Sequence, residues 1–318
     1  MMNSITLIIP CFNEEDAIPL FYKETEKIKK DLRGYQLEYL FINDGSTDHT
    51  LQTLRDLHSS FPDKIHYVSF TKNFGKEAAI YAGLRESSGD YVAVMDVDLQ
   101  DPPEFLPLML EGIEDENYDM VGACRVNRQG EPKIRSFFAN QFYKLINKLS
   151  DTQFVPGVRD FRLMTREVVN SVIQISEYNR FSKGIFSWIG YNTKYLEYTN
   201  RKRVAGETNW SFWQLVRYSI EGIINFSEKP LAIASYVGLG SFIVSIIAII
   251  FIVIRKLLFG GSAYGWASMI SVILMIGGIQ LLCLGILGKY IGNIYLETKK
   301  RPLYLIKEKD NTNNYEHK

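Results

Sequence analysis

The chain has 318 residues with 36 basic and 36 acidic side chains, so its formal net charge is zero. That length allows one large or two modest domains, and the charge balance gives no general attraction to nucleic acid. Cys11, Cys124 and Cys283 show no paired spacing, which excludes a disulfide framework and a zinc site and fits a reducing, cytosol-facing setting for the soluble part.

Up to about residue 125, short apolar runs alternate with helical patterns. Ile5–Ile9, Leu37–Ile42, Ile65–Phe70, Tyr91–Met95 and Met120–Ala123 have strand length, with helical periodicity at about 14–33, 48–60, 75–87 and 103–115. The first run is too short for a secretory leader, and Glu14, Glu15 and Asp16 follow it at once. Alternation of this kind predicts an α/β fold with a mainly parallel, Rossmann-like sheet covered by helices on both faces. Ligands of such sheets bind beyond the carboxyl ends of the strands.

Residues 130–200 are less regular. A helix is predicted through Ile134–Leu149, another from near Arg166, and a strand over Tyr191–Tyr198. An amphipathic helix follows over Trp210–Phe226, with Thr208 or Asn209 as its cap. Its apolar side holds Phe212, Trp213, Val216, Ile220, Ile223 and Ile224. Two settings suit it, the membrane interface and the surface of the soluble domain.

Leu231–Ile254 and Ser262–Gly288 carry no charge. About 20 apolar residues suffice to cross a hydrocarbon core of ~30 Å, so both runs predict transmembrane helices. Arg201, Lys202, Arg203, Arg217 and Lys229 precede the pair; Lys289, Lys299, Lys300, Arg301, Lys307 and Lys309 follow it. Positive flanks stay cytoplasmic. Arg255 and Lys256 at the far end of the first helix run against this orientation and are outnumbered. The expectation is a multi-pass protein of the cell membrane, in contact with the lipid bilayer, with both termini and the soluble domain cytoplasmic. The chain divides into a soluble domain (1–209), an amphipathic juxtamembrane helix (210–229), two transmembrane helices (230–292) and a basic cytoplasmic tail (293–318) whose polar end predicts disorder. Gly277, Gly278, Gly285 and Gly288 permit close helix packing, and a homo-oligomer is expected.

Polar motifs stand where the strands end. Pro10-Cys11-Phe12-Asn13-Glu14-Glu15 closes the first strand and, read alone, is a strand-to-helix turn with acids at the helix start. Asn43-Asp44-Gly45-Ser46-Thr47-Asp48 closes the second; Gly45 permits a tight turn, and Asp44 is placed to accept from the imide N–H of a uracil. Asp96-Val97-Asp98-Leu99-Gln100-Asp101-Pro102-Pro103 closes the fourth. Residues i and i+2 of an extended chain face the same way, which would aim Asp96 and Asp98 together into the cleft. Two such carboxylates repel each other unless a cation lies between them. Mg²⁺ or Mn²⁺ takes one or two carboxylates and completes its shell with phosphates and water, the neutralisation a diphosphate leaving group needs.

These motifs, with Asn73-Phe74-Gly75-Lys76-Glu77-Ala78-Ala79 between them, resemble in order and spacing the family 2 glycosyltransferases of GT-A fold. Among these the chain is most similar to polyprenyl-phosphate glycosyltransferases such as bactoprenol glucosyltransferases and dolichyl-phosphate mannose synthases. Arg159-Asp160-Phe161-Arg162-Leu163, Arg203-Val204-Ala205-Gly206-Glu207-Thr208 and Gly288-Lys289-Tyr290-Ile291-Gly292 match that subgroup too, so the resemblance covers nearly the whole chain. Where the family commonly carries Ser-Lys, Thr208-Asn209 stands here.

The resemblance implies inverting transfer of a hexose, glucose or N-acetylglucosamine, from a UDP-sugar to undecaprenyl phosphate for the cell envelope, with Mg²⁺ or Mn²⁺. It implies that Pro10, Glu14, Asn73, Lys76 and Gln100 shape the donor site and that Asp44 reads the uracil. Asp96 holds the ribose or the metal shell, Asp98 ligates the metal, and Asp160 is the proposed catalytic base. A phosphate monoester is largely ionised at neutral pH, with a second pKa of ~6, so a strong base is less necessary, and Asp160 is expected chiefly to orient groups through Arg159 or Arg162. Arg128, Arg135 and Arg203 are the expected acceptor-phosphate ligands, since arginine forks match phosphate oxygens. Two helices are few for a polysaccharide synthase that moves its polymer, and the intact Asp44, Asp96, Asp98 and Asp160 set argues against a non-catalytic nucleotide-sugar sensor.

Overall fold

A computed structural model describes residues 3–127, 144, 146–150, 152–199, 222–259 and 265–310. Its centre is an eight-stranded sheet. The elements in chain order are β1 (Ser4–Cys11), α1 (Ala17–Glu26), β2 (Gln36–Asn43), α2 (Thr50–Ser60), β3 (Ile65–Phe70), α3 (Lys76–Glu86), β4 (Tyr91–Val94), α4 (Phe105–Glu114), β5 (Met120–Asn127), β6 (Val158–Thr165), α5 (Arg166–Gln174), α6 (Ser182–Trp188), β7 (Thr193–Thr199), α7 (Lys229–Phe259), α8 (Trp266–Thr298) and β8 (Ile306–Lys309).

The strand order is β7-β5-β6-β4-β1-β2-β3-β8. β3, β2, β1 and β4 are parallel neighbours, β6 runs antiparallel between β4 and β5, and β7 is parallel to β5. The parallel centre is buried on both faces, which is why its strands read as unbroken apolar runs. Ile5, Leu7 and Ile9 of β1 pack on one side, with Phe21, Leu54, Leu106 and Met109 from α1, α2 and α4. Ile8 and Ile42 pack on the other, with Ala79, Ala82, Val168, Val172 and Ile185 from α3, α5 and α6. α3 lies close on β1: a Cβ on its Gly83 would stand 2.2 Å from the Ile8 side chain. Each fully buried large aliphatic contributes roughly 1.5–3 kcal/mol, so this double layer fixes where the strand ends point.

Two strands lie where no strand was expected. β6 carries the Arg159–Leu163 motif and pairs with both β4 and β5. β8 turns part of the basic tail into an antiparallel edge strand on β3. Arg55 on α2 pairs with Glu308 at 2.5 Å, and His66 on β3 meets Asp310 at 2.5 Å. The Tyr304 ring stacks on Phe70 with centroids 4.9 Å apart.

α7 and α8 pack against each other, with 31 and 33 residues. At ~1.5 Å per residue they are about 45–50 Å long. Within them lie stretches of 27 and 30 residues long and apolar enough to cross a membrane, and among the described residues neither is buried. Leu257 and Leu281 are 79% and 72% exposed, and an exposed apolar surface of this extent marks a contact with a membrane or another protein. The amphipathic segment is described only over 222–226, which is helical, and the helix expected through Ile134–Leu149 only at 144 and 146–149; the rest of both lies outside the described residues.

Candidate active site

The loops at the carboxyl ends of β1 and β2 are tied together by their own polar residues. The backbone N–H of Asn13 donates to Ser46 Oγ at 2.9 Å, and its side-chain oxygen accepts from the Thr47 N–H at 2.8 Å. The Glu14 N–H donates to Thr50 Oγ1, and the His49 N–H to Glu15. Pro10 sits on β1 beyond its last pair with β4, so its missing N–H costs that ladder nothing.

Asp44 is buried, and its carboxylate oxygens accept from the N–H groups of Phe74 and Gly75 at 2.6 and 2.9 Å. Burial pushes its pKa up, while these two N–H groups work the other way. The expected uracil reader is therefore also the latch that holds the Asn73–Lys76 loop against β2. Gly45 makes the latch possible. It has φ of +65°, and a Cβ there would stand 2.1 Å from the Lys72 carbonyl carbon. Asn73 is exposed beside this crossing.

β4 ends at Val94, so Asp96 and Asp98 do not lie on an extended strand as the i, i+2 argument assumed. Val97 and Asp98 form a turn, Leu99 has φ of +56°, and Asp98 Oδ1 accepts from the Gln100 N–H at 3.1 Å. The driving term is local: a short acidic side chain satisfies the backbone two residues on.

What gathers at this edge is a charge cluster. β4 and β6 pair as Tyr91↔Thr165 through Val94↔Arg162; continuing that register sets position 160 opposite position 96. Between them stands Lys76, the first residue of α3, with Nζ 2.6 Å from Asp96 Oδ1 and 2.5 Å from Asp160 Oδ2. Burial works against the charge of Lys76, yet Asp160 and Asp96 outweigh it and raise its pKa. Burial likewise opposes the charge of Asp160, but Lys76, Lys183 and Arg162 hold it well below the usual carboxylate range. The hydrogen-bonded partner of Asp160 is thus Lys76, not the Arg159 or Arg162 expected to carry its orienting role. Arg162 instead donates to the backbone oxygens of Asp160 and Arg159, at 3.3 and 2.8 Å.

Arg159 makes its hydrogen bonds outside the cluster. Its Nε donates to Asp101 Oδ1 at 3.1 Å and its Nη2 to Gln100 Oε1 at 3.2 Å, and Tyr198 Oη donates to the same Asp101 oxygen. Asp101 is completely buried, and burial raises its pKa against the pull of Arg159. This Arg159–Asp101–Tyr198 brace fixes the loop after β4 from below. Sequence reasoning missed it: Asp101 lies inside a motif already noticed, but Tyr198 on β7 carries no local signal. Glu77, next to Lys76, was missed as well; it accepts from the N–H and Oγ of Ser182 at the start of α6. The expected acceptor ligands Arg128, Arg135 and Arg203 lie outside the described residues.

Asp96 and Asp98 offer oxygen donors only, which suits Mg²⁺ or Mn²⁺. Among the described residues no three His, Cys, Asp or Glu side chains come together as a metal cage. Two carboxylates are what such an ion takes when substrate phosphates and water complete its shell, and the Lys76 ammonium already marks a cation position against Asp96. The residues fit the group.

Comparison with known proteins gives the family of the chain. The profile of "Glycosyl transferase family 2" matches residues 6–173. "Putative glycosyltransferase CsbB" of Bacillus subtilis is 46% identical over 96% of this chain and 91% of its own length. "Bactoprenol glucosyl transferase" of Shigella phage SfX is 44% identical over 96% of this chain and 99% of its own. Among solved structures, the mannosyltransferase PcManGT from Pyrobaculum calidifontis, in complex with GDP-Man and Mn²⁺, is 17% identical with a TM-score of 0.46 over 93% of this chain and 86% of that one.

Proposed function

Because this chain belongs to glycosyl transferase family 2, we propose that it transfers glucose from UDP-glucose to undecaprenyl phosphate with inversion at the anomeric carbon. The observation that carries the reading is the Lys76 bridge between Asp96 and Asp160 at the carboxyl edge of the sheet. The bactoprenol glucosyl transferase named above, similar over nearly its whole length, supports the sugar and the lipid. Two long apolar helices in the same chain support a lipid acceptor and a membrane location, and the basic residues flanking the pair support a cytoplasmic side for the sheet domain and both termini.

In the proposed reaction an oxygen of the acceptor phosphate forms the new bond to the anomeric carbon as the bond from that carbon to the UDP oxygen breaks. The acceptor is already ionised, with a second pKa of ~6, so no strong base is required. Negative charge passes from one phosphate to the other, and fixed cations that meet it where it develops lower the barrier. Lys76 is such a cation. Asp160 holds the Lys76 ammonium in place, Asp44 keeps the loop that carries it against the donor side, and the Arg159–Asp101–Tyr198 brace fixes the loop of Asp96 and Asp98. Those two carboxylates would hold Mg²⁺ or Mn²⁺, which when bound would neutralise the leaving diphosphate.

The test is sugar transfer by the purified full-length protein in detergent, with undecaprenyl phosphate, Mg²⁺ or Mn²⁺ and a panel of labelled UDP-sugars. Labelled lipid from UDP-glucose, of opposite anomeric configuration to the donor and lost in Asp98→Ala or on chelation, is the expected result. N-acetylglucosamine as the sole sugar transferred would replace glucose. No lipid product from any donor, by folded protein that binds UDP, would overturn the lipid acceptor.

A further inference from the structure

A second polar site lies where the sheet domain meets the long helices. A cavity of about 290 Å³ opens between α3, the segment before α6, the 222–226 helix and the start of the tail. Phe74, Phe181 and Leu303 supply apolar walls, and Glu77, Tyr178, Asn179, Arg180 and Asn225 bring polar groups to the lining.

Arg180 is the unexplained group. Its residue is only 7% exposed, yet Nε and Nη2 have no hydrogen-bond partner among the described residues. Nη1 donates to the Ile175 carbonyl, and the guanidinium lies 4.3 Å from the Tyr81 ring centroid. Glu77 and Glu177 act on it through charge, but neither gives Nε or Nη2 a hydrogen bond, and Glu77 Oε2 accepts from the Ser182 N–H and hydroxyl. A buried guanidinium with spare donors is costly unless an acceptor reaches it. Two N–H groups on one fork suit a phosphate, which takes them in parallel.

The surroundings say what carries that phosphate. Asn225 Nδ2 donates to the Asn179 carbonyl at 2.8 Å, and Asn293 on α8 closes the set, with amide bonds of 3.2 Å to both Asn179 and Asn225. The Tyr178 N–H donates to Glu297 near the end of α8 at 2.7 Å. The cavity therefore adjoins the end of α8, where a helix pair crossing a membrane would meet the lipid head groups. Basic pockets at such junctions hold lipid phosphates.

We propose that this cavity binds the phosphate head of a membrane lipid, with Arg180 as its cation and Phe181 and Leu303 against the first carbons of the chain. Its cation, Arg180, is not a member of the Lys76–Asp96–Asp160 cluster, although Glu77 in its wall follows Lys76 in sequence and feels the charges of Asp160 and Lys76. The inference goes beyond sugar transfer, because it requires a phosphate-bearing lipid and no donor.

Native mass spectrometry of the full-length protein in detergent tests it, with phosphatidylglycerol, farnesyl phosphate, farnesol and inorganic phosphate each added in the absence of UDP-sugar. One phosphate-bearing lipid is expected to bind wild type, with occupancy falling about tenfold or more in Arg180→Gln, as for loss of a charged hydrogen bond. Arg180→Lys keeps the charge without the fork and is expected to fall between them. Leu303→Trp fills the cavity without touching the charge and is expected to expel the lipid. Displacement by inorganic phosphate at equal concentration would assign the site to free phosphate; preference between the two lipids identifies the head group. UDP binding checks the fold of each variant. Lipid occupancy unchanged in folded Arg180→Gln and Leu303→Trp would overturn the proposal and leave the transfer reading untouched, since that reading is measured by labelled product.

Discussion

The Lys76–Asp96–Asp160 cluster and the Arg55–Glu308 pair are both tight ion pairs between residues far apart in the chain, but they stand in different parts of the sheet. The first lies where β4 and β6 meet, at the centre of the carboxyl edge. The second lies at the outer edge, where the tail adds β8 to β3. At the centre one ammonium bridges two carboxylates, and Lys183 and Arg162 also act on Asp160, so several charges of both signs converge on one place. At the edge the charges meet pair by pair, Arg55 with Glu308 and His66 with Asp310. Separate pairs of that kind hold a fold together; a network converging at the strand ends is available to a ligand. Variants that remove one partner at a time separate these two uses.

The largest effect is expected at the centre. Lys76→Met leaves Asp96 and Asp160 facing each other with no cation between them. Loss of one fixed charge at the point where charge develops costs about 10²–10³ in rate. The Lys76 side chain is 42% exposed, so the melting temperature is expected to stay within a few degrees of wild type. kcat and KM for sugar transfer, measured beside a melting curve, check both halves. A variant that keeps its rate within about threefold would put the cluster in the same structural class as the edge pair.

Next comes Asp101→Ala, which leaves the Arg159 guanidinium and the Tyr198 hydroxyl without their shared acceptor. Removing one member of a buried ion pair costs about 3–5 kcal/mol, and ~1 kcal/mol lowers Tm by roughly 2–4 °C at this domain size. A fall of about 6 °C or more is expected, with weaker UDP-sugar binding because Gln100 and the loop after β4 lose their brace. A change of a degree or two would mean that the brace is no stronger than a surface pair.

How much of this was legible in the sequence follows from the same contrast. The central strands could be read because burial on both faces writes them as apolar runs such as Leu37–Ile42, and the residues at their ends could be read because polar motifs interrupt those runs. β6 could not, because Arg159, Asp160 and Arg162 interrupt any apolar run there, although Phe161 and Leu163 are fully buried. β8 could not, because Ile306-Lys307-Glu308-Lys309 holds one apolar residue; its strand exists through the β3 ladder and the charges of Arg55 and His66, both more than 200 positions away. The cluster itself was half legible. Lys76, Asp96 and Asp160 were each singled out by motif, but their meeting depends on the β4–β6 register, and an antiparallel strand inserted into a parallel sheet has no signature within either strand. The turn at Asp98 was misread because strand geometry was extended past Val94, where the β4 ladder ends, as far as Asp98.

At the edge the expected effects are small. Arg55→Ala and Glu308→Ala, alone and together, are expected to give a coupling of about 0.2–1 kcal/mol in a double-mutant cycle, the range for exposed pairs; the two side chains are 43% and 26% exposed. Sugar transfer is expected to stay near wild type in all three. A coupling several times larger, or a lost activity, would show that the edge staple reaches the active site through β3.

The smallest effect, and the one whose sign is most diagnostic, comes from His66. Its hydrogen bond to Asp310 is the main cause that raises its pKa above the ordinary value; burial works against it, and the charges of Asp310, Glu38 and Asp63 add to the rise. A histidine whose folded pKa is raised stabilises fully below its unfolded pKa of ~6.5, and loses that contribution as pH rises through the folded value. The tail is therefore expected to dock more tightly at pH 6 than at pH 9. The difference should be no more than about 1 kcal/mol, because neutral imidazole can keep the hydrogen bond without its charge. Hydrogen exchange at the amides of Glu308 and Lys309, which lie on the β3 ladder, reports the docking directly. His66→Gln removes the titration and is expected to flatten the pH dependence while leaving the Arg55–Glu308 pair in place. Faster exchange at pH 6 than at pH 9, after correction for the intrinsic rate, would reverse the sign and remove His66 from the staple. A flat profile in wild type would assign the docking of β8 to Arg55, Tyr304 and the ladder alone, and the edge would then hold its charge pairs in a form that pH between 6 and 9 does not reach.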